Sequence, residues 1–253
     1  MRPMRIKGLT AALAFFVPAF SMALLVCQGQ ANTASTTEHG KDAPPVVKIT
    51  APANNTVDSW NALVNYSVVV TWNGKSTEYQ EIPSDQVLIT ATYVPDLSKK
   101  SGELAPVSAP VPAALVDIIR SGCVGCHEFK ARATGPSFVA IAQRYSGGQA
   151  ASNTLVRYIR EGSTGVWGQT SMPPHPELTE EQLQAIVHWI VKDAANPNVN
   201  YYVGTEGTIR MEAPATPSSR AGVILTASYT AAVPPADQQQ APHGEDSVIV
   251  HGK

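Results

Sequence analysis

Two hydrophobic periods divide this chain. From Val46 to Tyr93 apolar and polar positions alternate in runs rich in Val, Ile, Thr and Tyr. That pattern predicts strands at Val46–Thr50, Ala62–Trp72, Ser76–Ile82 and Gln86–Tyr93. Trp72-Asn73-Gly74-Lys75 carries the Asn-Gly signal of a two-residue hairpin. From about Val111 to Ala195 the spacing becomes helical, with helices predicted over Ala113–Ser121, Gly135–Tyr145, Ala151–Glu161 and from Leu178 onward. In the last of these, Thr179 and Gln182 form a capping box, and Leu178 with Leu183 a hydrophobic staple. Leu183, Ile186, Val187 and Ile190 then make an apolar stripe, predicted to cross the first helix at Leu115, Ile118 and Ile119, with Trp189 joining the crossing. After Asn196-Pro197-Asn198 the strand pattern returns at Thr208–Met211, Val223–Tyr229 and Ser247–Val250. Loops rich in Pro, Ser, Ala and Gln lie between, over Ala213–Arg220 and Ala232–Glu245. There is no internal repeat.

Four strands before the helices are too few for an independent sandwich, and the strands after them are too few and too widely spaced. Together they total about seven, the number an immunoglobulin-like sandwich requires. The expected fold is therefore α+β: an all-α domain over 111–195, inserted into an immunoglobulin- or PKD-like β-sandwich built from 46–98 and 196–253. Two independent β pieces flanking the helices are the alternative. Residues 99–110, with Lys99, Lys100, Pro106 and Pro110, form a semi-extended linker.

The N-terminus changes the picture of location. Met1 to Lys7 is basic, Gly8 to Val26 is apolar, and Gly29-Gln30-Ala31 offers small residues before a cleavage point. Residues 1–31 are read as a signal peptide and 32–45 as a disordered leader. An uncleaved anchor and a lipoprotein acylated at Cys27 are the other readings, the latter disfavoured by the bulk of Val26. Apolar residues make up 43% and charged residues 15%, with a formal charge of −2. Without Arg2, Arg5 and Lys7 the balance is more acidic, and nothing in it suggests nucleic acid.

The chemistry sits in Cys123-Val124-Gly125-Cys126-His127. Cys-x-x-Cys-His is the attachment pattern of a c-type haem. Each thiol can form a thioether to one vinyl group, and the adjacent imidazole supplies an iron ligand. A thioredoxin-like pair should follow a strand, whereas a helix is predicted here. A zinc site needs further ligands, and no cysteine follows Cys126. If the signal segment is removed, Met172 and Met211 are the remaining methionines. Met172 is followed by Pro173-Pro174, which stiffen its loop, and is the expected sixth ligand. Met211 is expected in a core. His175 has the Met172 sulfur or a surface water as candidate partners, and His188 is expected on a helix surface. His39, His243 and His251 suggest no role.

The run from Val111 to Ala195 resembles the small bacterial monohaem class I cytochromes c. Gly122-Cys-Val-Gly-Cys-His127, Thr134-Gly-Pro-Ser-Phe138, Gly162-Ser-Thr-Gly-Val-Trp-Gly168 and Met172-Pro-Pro174 match that family's motifs in order. The likeness is nearest to the cytochrome module associated with PQQ-dependent sugar dehydrogenases. The resemblance implies that Pro136 offers its carbonyl to Nδ1–H of His127 and that Trp167 donates its indole N–H to a haem propionate. Tyr158 stands where several family members carry a propionate-binding Arg, leaving Arg157 or Arg160 as substitutes.

The expected function is periplasmic electron transfer by one haem c with His/Met ligation, acting with donor and acceptor proteins rather than as an enzyme. One alternative is the electron-accepting subunit of a separate PQQ-type sugar or alcohol dehydrogenase. Another is a carbohydrate- or surface-binding β module with an accessory haem. Lys130, Arg132, Arg144, Arg157 and Arg160 are expected to steer an acidic partner.

Overall fold

Ten consecutive residues, Leu63–Trp72, set the plan of the β region. They alternate about the sheet plane, and Val64, Tyr66, Val68 and Val70 are buried while their neighbours are not. The computed structural model describes residues 43–98, 111–212, 218–232 and 241–253. The expected signal segment with Cys27, residues 32–42 of the leader and the linker over 99–110 lie outside the described residues.

Nine strands are described: β1 (Val46–Ala51), β2 (Thr56–Asp58), β3 (Leu63–Trp72), β4 (Lys75–Ser76), β5 (Leu88–Val94), β6 (Val199–Val203), β7 (Glu206–Arg210), β8 (Gly222–Thr230) and β9 (His243–Gly252). β3 pairs with β1, β4 and β7 in one sheet, and the other runs β2-β9-β8-β5-β6. β2 lies parallel to β9 and the remaining pairs are antiparallel. Four helices lie between β5 and β6 in the chain: α1 (Ala113–Arg120), α2 (Phe138–Arg144), α3 (Gln149–Glu161) and α4 (Glu180–Lys192). β5 and β6 are nevertheless direct partners, Thr90 opposite Tyr201. In both sheets, strands preceding the helices pair with strands following them.

The two sheets share a core that includes Val68 and Val70 of β3, Ile89 of β5, Leu225 of β8 and Val250 of β9. Met211 is fully buried there, filling space as a flexible apolar side chain does. A second core forms where α4 packs on α1, α2 and α3, around Leu115, Ile118, Leu183, Ile186 and Val187. Burying each such side chain stabilises by about 1.5–3 kcal/mol. Thr179 and Gln182 close both bonds of the capping box, and Leu178 and Leu183 are buried in the same core.

The two cores meet. Leu88 of β5 belongs to the helical core, and Tyr201 and Val203 of β6 pack against it. Arg120 at the end of α1 donates to the carbonyls of Thr230 (3.2 Å) and Ala231 (2.5 Å). Lys130 pairs with Glu212 at 3.0 Å.

The sequence pattern errs in four places. The strand expected over Ser76–Ile82 stops at Ser76 and gives way to a 3-10 turn, Thr77–Tyr79. The Ser76 hydroxyl accepts from Glu78 N–H, and the Glu81 carboxylate accepts from Ser76 N–H, so local side-chain bonds replace the ladder. The helix expected from Gly135 begins only at Phe138, where the Ser137 hydroxyl caps it by accepting from Ala140 N–H at 3.1 Å. β2 and β6 carry too little alternation to be seen alone. The Asn-Gly hairpin is present, with Trp72 opposite Lys75 and left-handed φ of 49° at Asn73 and 74° at Gly74.

Candidate functional site

A left-handed residue, Gly122 (φ 70°), ends α1 and turns the chain into a single 3-10 turn, Cys123–Gly125. His127 N–H donates back to the Cys123 carbonyl at 2.9 Å. One compact loop therefore carries both thiols and the imidazole. Cys123 is half-buried and Cys126 exposed. Burial pushes the Cys123 thiol up to about 11, so it is neutral at ordinary pH.

The segment after the loop holds the imidazole. Gly135 N–H donates to the Cys126 carbonyl at 2.8 Å, Phe138 N–H to Glu128 at 3.1 Å and Val139 N–H to Phe129 at 3.1 Å. These bonds bring the Pro136 carbonyl to 2.7 Å from His127 Nδ1. A carbonyl only accepts, so Nδ1 carries the proton and Nε2 keeps its lone pair. A Cβ on Gly135 would lie 2.6 Å from His127 Cε1 and 2.8 Å from Nδ1, so the backbone passes the ring at a distance only glycine allows.

Opposite this loop, Gly162 (φ 80°) ends α3. Ser163 and Met172 then exchange both backbone hydrogen bonds, at 3.1 and 2.8 Å, closing the intervening residues into a loop. His175 N–H donates to Ile159 at 2.9 Å and pins Pro173-Pro174 behind Met172. A Cβ on Gly162 would lie 2.7 Å from the Met172 carbonyl. Arg144 donates to the Val166 carbonyl at 2.9 Å and its guanidinium lies 4.5 Å from the Trp167 ring centroid. Arg132 donates to the Trp167 carbonyl at 3.4 Å.

Between the two loops lies a cavity of about 1070 Å³, open mouth included. Its walls are mainly apolar, from Ile118, Phe138, Ile141, Leu155, Ile186 and Ile190. All six residues singled out in the sequence line it: Cys123, Cys126, His127, Pro136, Trp167 and Met172. Arg132 and Tyr158 line it too. An apolar slot with a free imidazole nitrogen, a thioether and two thiols suits a planar macrocycle attached through vinyl groups. Among the described residues no group of three or more His, Cys, Asp or Glu side chains could hold a bare metal ion.

Other candidates fall elsewhere. Neither Arg157 nor Arg160 reaches the cavity, because Arg160 pairs with Glu180 and Arg157 lies 3.9 Å from Glu161. His175 Nδ1 bonds Glu177 at 2.9 Å rather than the Met172 sulfur. Met211 is in the β core, and His188 is exposed on α4. Three of the five basic residues expected to steer a partner are thus in ion pairs, Lys130, Arg157 and Arg160. Gly135 and Gly162 lie within the sequence motifs, but their role shows only in three dimensions, where Gly135 passes the His127 ring and Gly162 the Met172 backbone.

The family described as cytochrome c oxidase, cbb3-type, subunit III matches residues 110–190. Cytochrome c-551 of Allochromatium vinosum is 37% identical over 83 residues, covering 32% of this chain and 88% of that protein. Cytochrome c-552 of Hydrogenobacter thermophilus is 35% identical over 72 residues, 28% of this chain and 72% of that one. Among solved structures, wild-type Nitrosomonas europaea cytochrome c552 is similar at 32% identity, covering 29% of this chain and 91% of that one, with a TM-score of 0.28. With the site and these relatives in view, the chain belongs to the small class I monohaem cytochromes c.

Proposed function

We propose that this protein is an exported, periplasmic electron carrier in which His127 and Met172 are the axial ligands of one haem. Electron transfer by a single c-type haem held through the cysteine pair is the function its relatives support. The observation that carries the ligand assignment is the convergence of six residues on one apolar cavity, with His127 Nδ1 already bonded to Pro136. When bound, the haem supplies a one-electron Fe(III)/Fe(II) couple.

The protein's own groups prepare that couple. Pro136 holds the His127 ring and leaves Nε2 as the donor atom. The Ser163–Met172 bridge and the two prolines hold the thioether in a closed loop, a neutral, soft donor that favours the reduced iron relative to a nitrogen ligand. Cys123 and Cys126 attach the group, and the apolar walls keep water from it. Arg132 and Trp167, at the mouth, are the candidates to meet propionates.

The helical region 111–195 is read as an insertion into one immunoglobulin- or PKD-like sandwich, because both sheets combine strands from the two sides of it. Among the described residues no helix is long and apolar enough to cross a membrane. The narrower assignment, to a PQQ-type sugar or alcohol dehydrogenase as electron donor, rests on the resemblance of residues 111–195 to the cytochrome module associated with such enzymes.

The test is spectroscopic. Matured in a host that attaches c-type haem, the protein is expected to retain its haem through denaturation and to show the weak Met-to-iron band when oxidised. Haem extractable by acidic acetone, or a band surviving Met172→Ala, overturns the assignment.

A further inference from the structure

We infer that Tyr201, a β-sandwich residue, is a positioning residue for the iron ligand His127, so that the sandwich tunes the haem. The inference rests on His127 being that ligand.

Tyr201 lies on β6, the edge strand of its sheet, opposite Thr90 of β5. Its side chain nevertheless belongs to the helical core. Its ring centroid is 5.2 Å from that of Phe129 and 5.5 Å from that of Trp189. Phe129 is 5.5 Å from Phe138, and Trp189 is 5.8 Å from Phe138 and 6.1 Å from Phe129. Phe138 in turn is 5.7 Å from the His127 ring. Four aromatic rings thus form one cluster, with Tyr201 at the sandwich end and His127 against the other.

Two features make this cluster a mechanical link rather than filler. Phe129 stands two residues after His127 on the same loop, and the carbonyls of Glu128 and Phe129 accept from the backbone N–H groups of Phe138 and Val139. A shift of the Phe129 ring therefore moves the strap that carries Pro136, whose carbonyl holds Nδ1 of His127. Three of the four rings, Phe129, Phe138 and Trp189, are also buried. Close-packed interiors transmit displacement rather than absorb it. Tyr201 is anchored through the β5 pairing, so it is the sandwich end of the chain of contacts. The hydroxyl is not what the role needs; the ring is.

The experiment compares haem-loaded variants of the full chain, reading the reduction potential and the electron paramagnetic resonance g-values that report imidazole orientation and ligand strength. Tyr201→Leu, which keeps an apolar side chain but no ring, is expected to move both, the redox equilibrium by up to about tenfold, or ~59 mV for one electron. Tyr201→Phe is expected to restore both to the unsubstituted values. Ile209→Ala, in the β core and outside the aromatic cluster, is expected to lower thermal stability and move neither. If Tyr201→Leu lowers stability like Ile209→Ala but leaves potential and g-values unchanged, the inference is wrong. A Tyr201→Phe variant shifted as far as Tyr201→Leu also overturns it. Should Tyr201→Leu fail to fold, Phe129→Leu removes the Tyr201–Phe129 contact one ring closer to His127 while leaving Tyr201 on Trp189, and an unchanged potential and unchanged g-values in that variant overturn the inference. An unsubstituted protein lacking a His/Met spectrum would sink the ligand assignment instead, a result visible before any variant is made.

Discussion

The α-carbon of Gly135 faces the His127 imidazole so closely that a methyl group there would sit 2.6 Å from Cε1. Gly135→Ala forces the ring away from Pro136 or the strap away from the loop. Overpacking of this kind costs about 1–3 kcal/mol. The expected result is a lower melting temperature together with a weakened Nδ1–Pro136 hydrogen bond, seen as a shifted imidazole resonance in NMR of the haem-loaded protein. An unshifted imidazole signal would show that the strap can yield without disturbing the ring.

The two methionines outside the N-terminal segment are expected to behave oppositely. Met172→Ala removes a cavity-lining thioether and should abolish the Met-to-iron band and admit cyanide or imidazole to the iron. Met211→Ala opens a hole in the β core and should cost about 2–5 kcal/mol while leaving the spectrum intact. Denaturant melts and absorption spectra of both variants check the pair.

Asp117 gives a pH signature. It is half-buried on α1 and accepts from Gln182 of α4 at 2.8 Å. Burial raises its pKa, against the lowering effects of Gln182 and Arg120. A carboxyl whose folded pKa lies above its unfolded value disfavours the folded state at pH values above that folded pKa, and the penalty disappears as pH falls below the unfolded one. Asp117→Asn keeps a partner for Gln182 and is expected to raise the melting temperature slightly at neutral pH, with the gain vanishing below about pH 4. A gain independent of pH would assign the effect to something other than ionisation.

Salt dependence of electron exchange should follow Arg132 and Arg144 rather than the whole basic set. Arg160 is already neutralised by Glu180, and Lys130 by Glu212. Arg132 and Arg144 meet carbonyls and the faces of Trp167 and Tyr145 but no carboxylate among the described residues, so their charge reaches solvent. With an acidic partner, replacing both by Gln should flatten the plot of rate against ionic strength, whereas Arg160→Gln should change it little. Stopped-flow reduction at several salt concentrations measures this.

Removing residues 200–253 should leave Val46–Val94 without protection from hydrogen exchange. β3 loses its partner β7, and β5 loses both β6 and β8. Protected amides in β3 and β5 of the truncated chain would show that the first strands hold a core of their own.

The candidate site was legible in the sequence because its motif is local. Cys123, Cys126 and His127 lie within five residues, and Met172 is marked by the prolines that follow it. The cavity itself was less legible. Tyr158 drew attention to Arg157 and Arg160, but the cation at the mouth is Arg132, brought there by the fold of a loop rather than by helical spacing. The strands with a buried face every second residue, β1 and β3, were found from alternation. β6 was not, because Tyr201 packs into the helical core while its neighbour Tyr202 lies against the β core, so both faces are covered and the period is lost. No window around Tyr201 contains Phe129 or Trp189, so the contact that links the two cores could be seen only in three dimensions.

The pairing of β2 with β9 has a consequence for the birth of the protein. Asn54 accepts a hydrogen bond from Ile249, 195 residues further along the chain. A chain emerging from its N-terminus exposes β1 to β5 with most of their partners not yet made, and contacts so far apart in sequence form slowly. The helical segment, whose contacts are mostly local, is expected to close first. Thioether formation at Cys123 and Cys126 would then be open to the chain while the sheets are unpaired, and sheet closure would bring Tyr201 against the Phe129 and Trp189 rings afterwards. On that order maturation and folding would be consecutive, with the last ring set behind the His127 loop only after the cysteines have reacted.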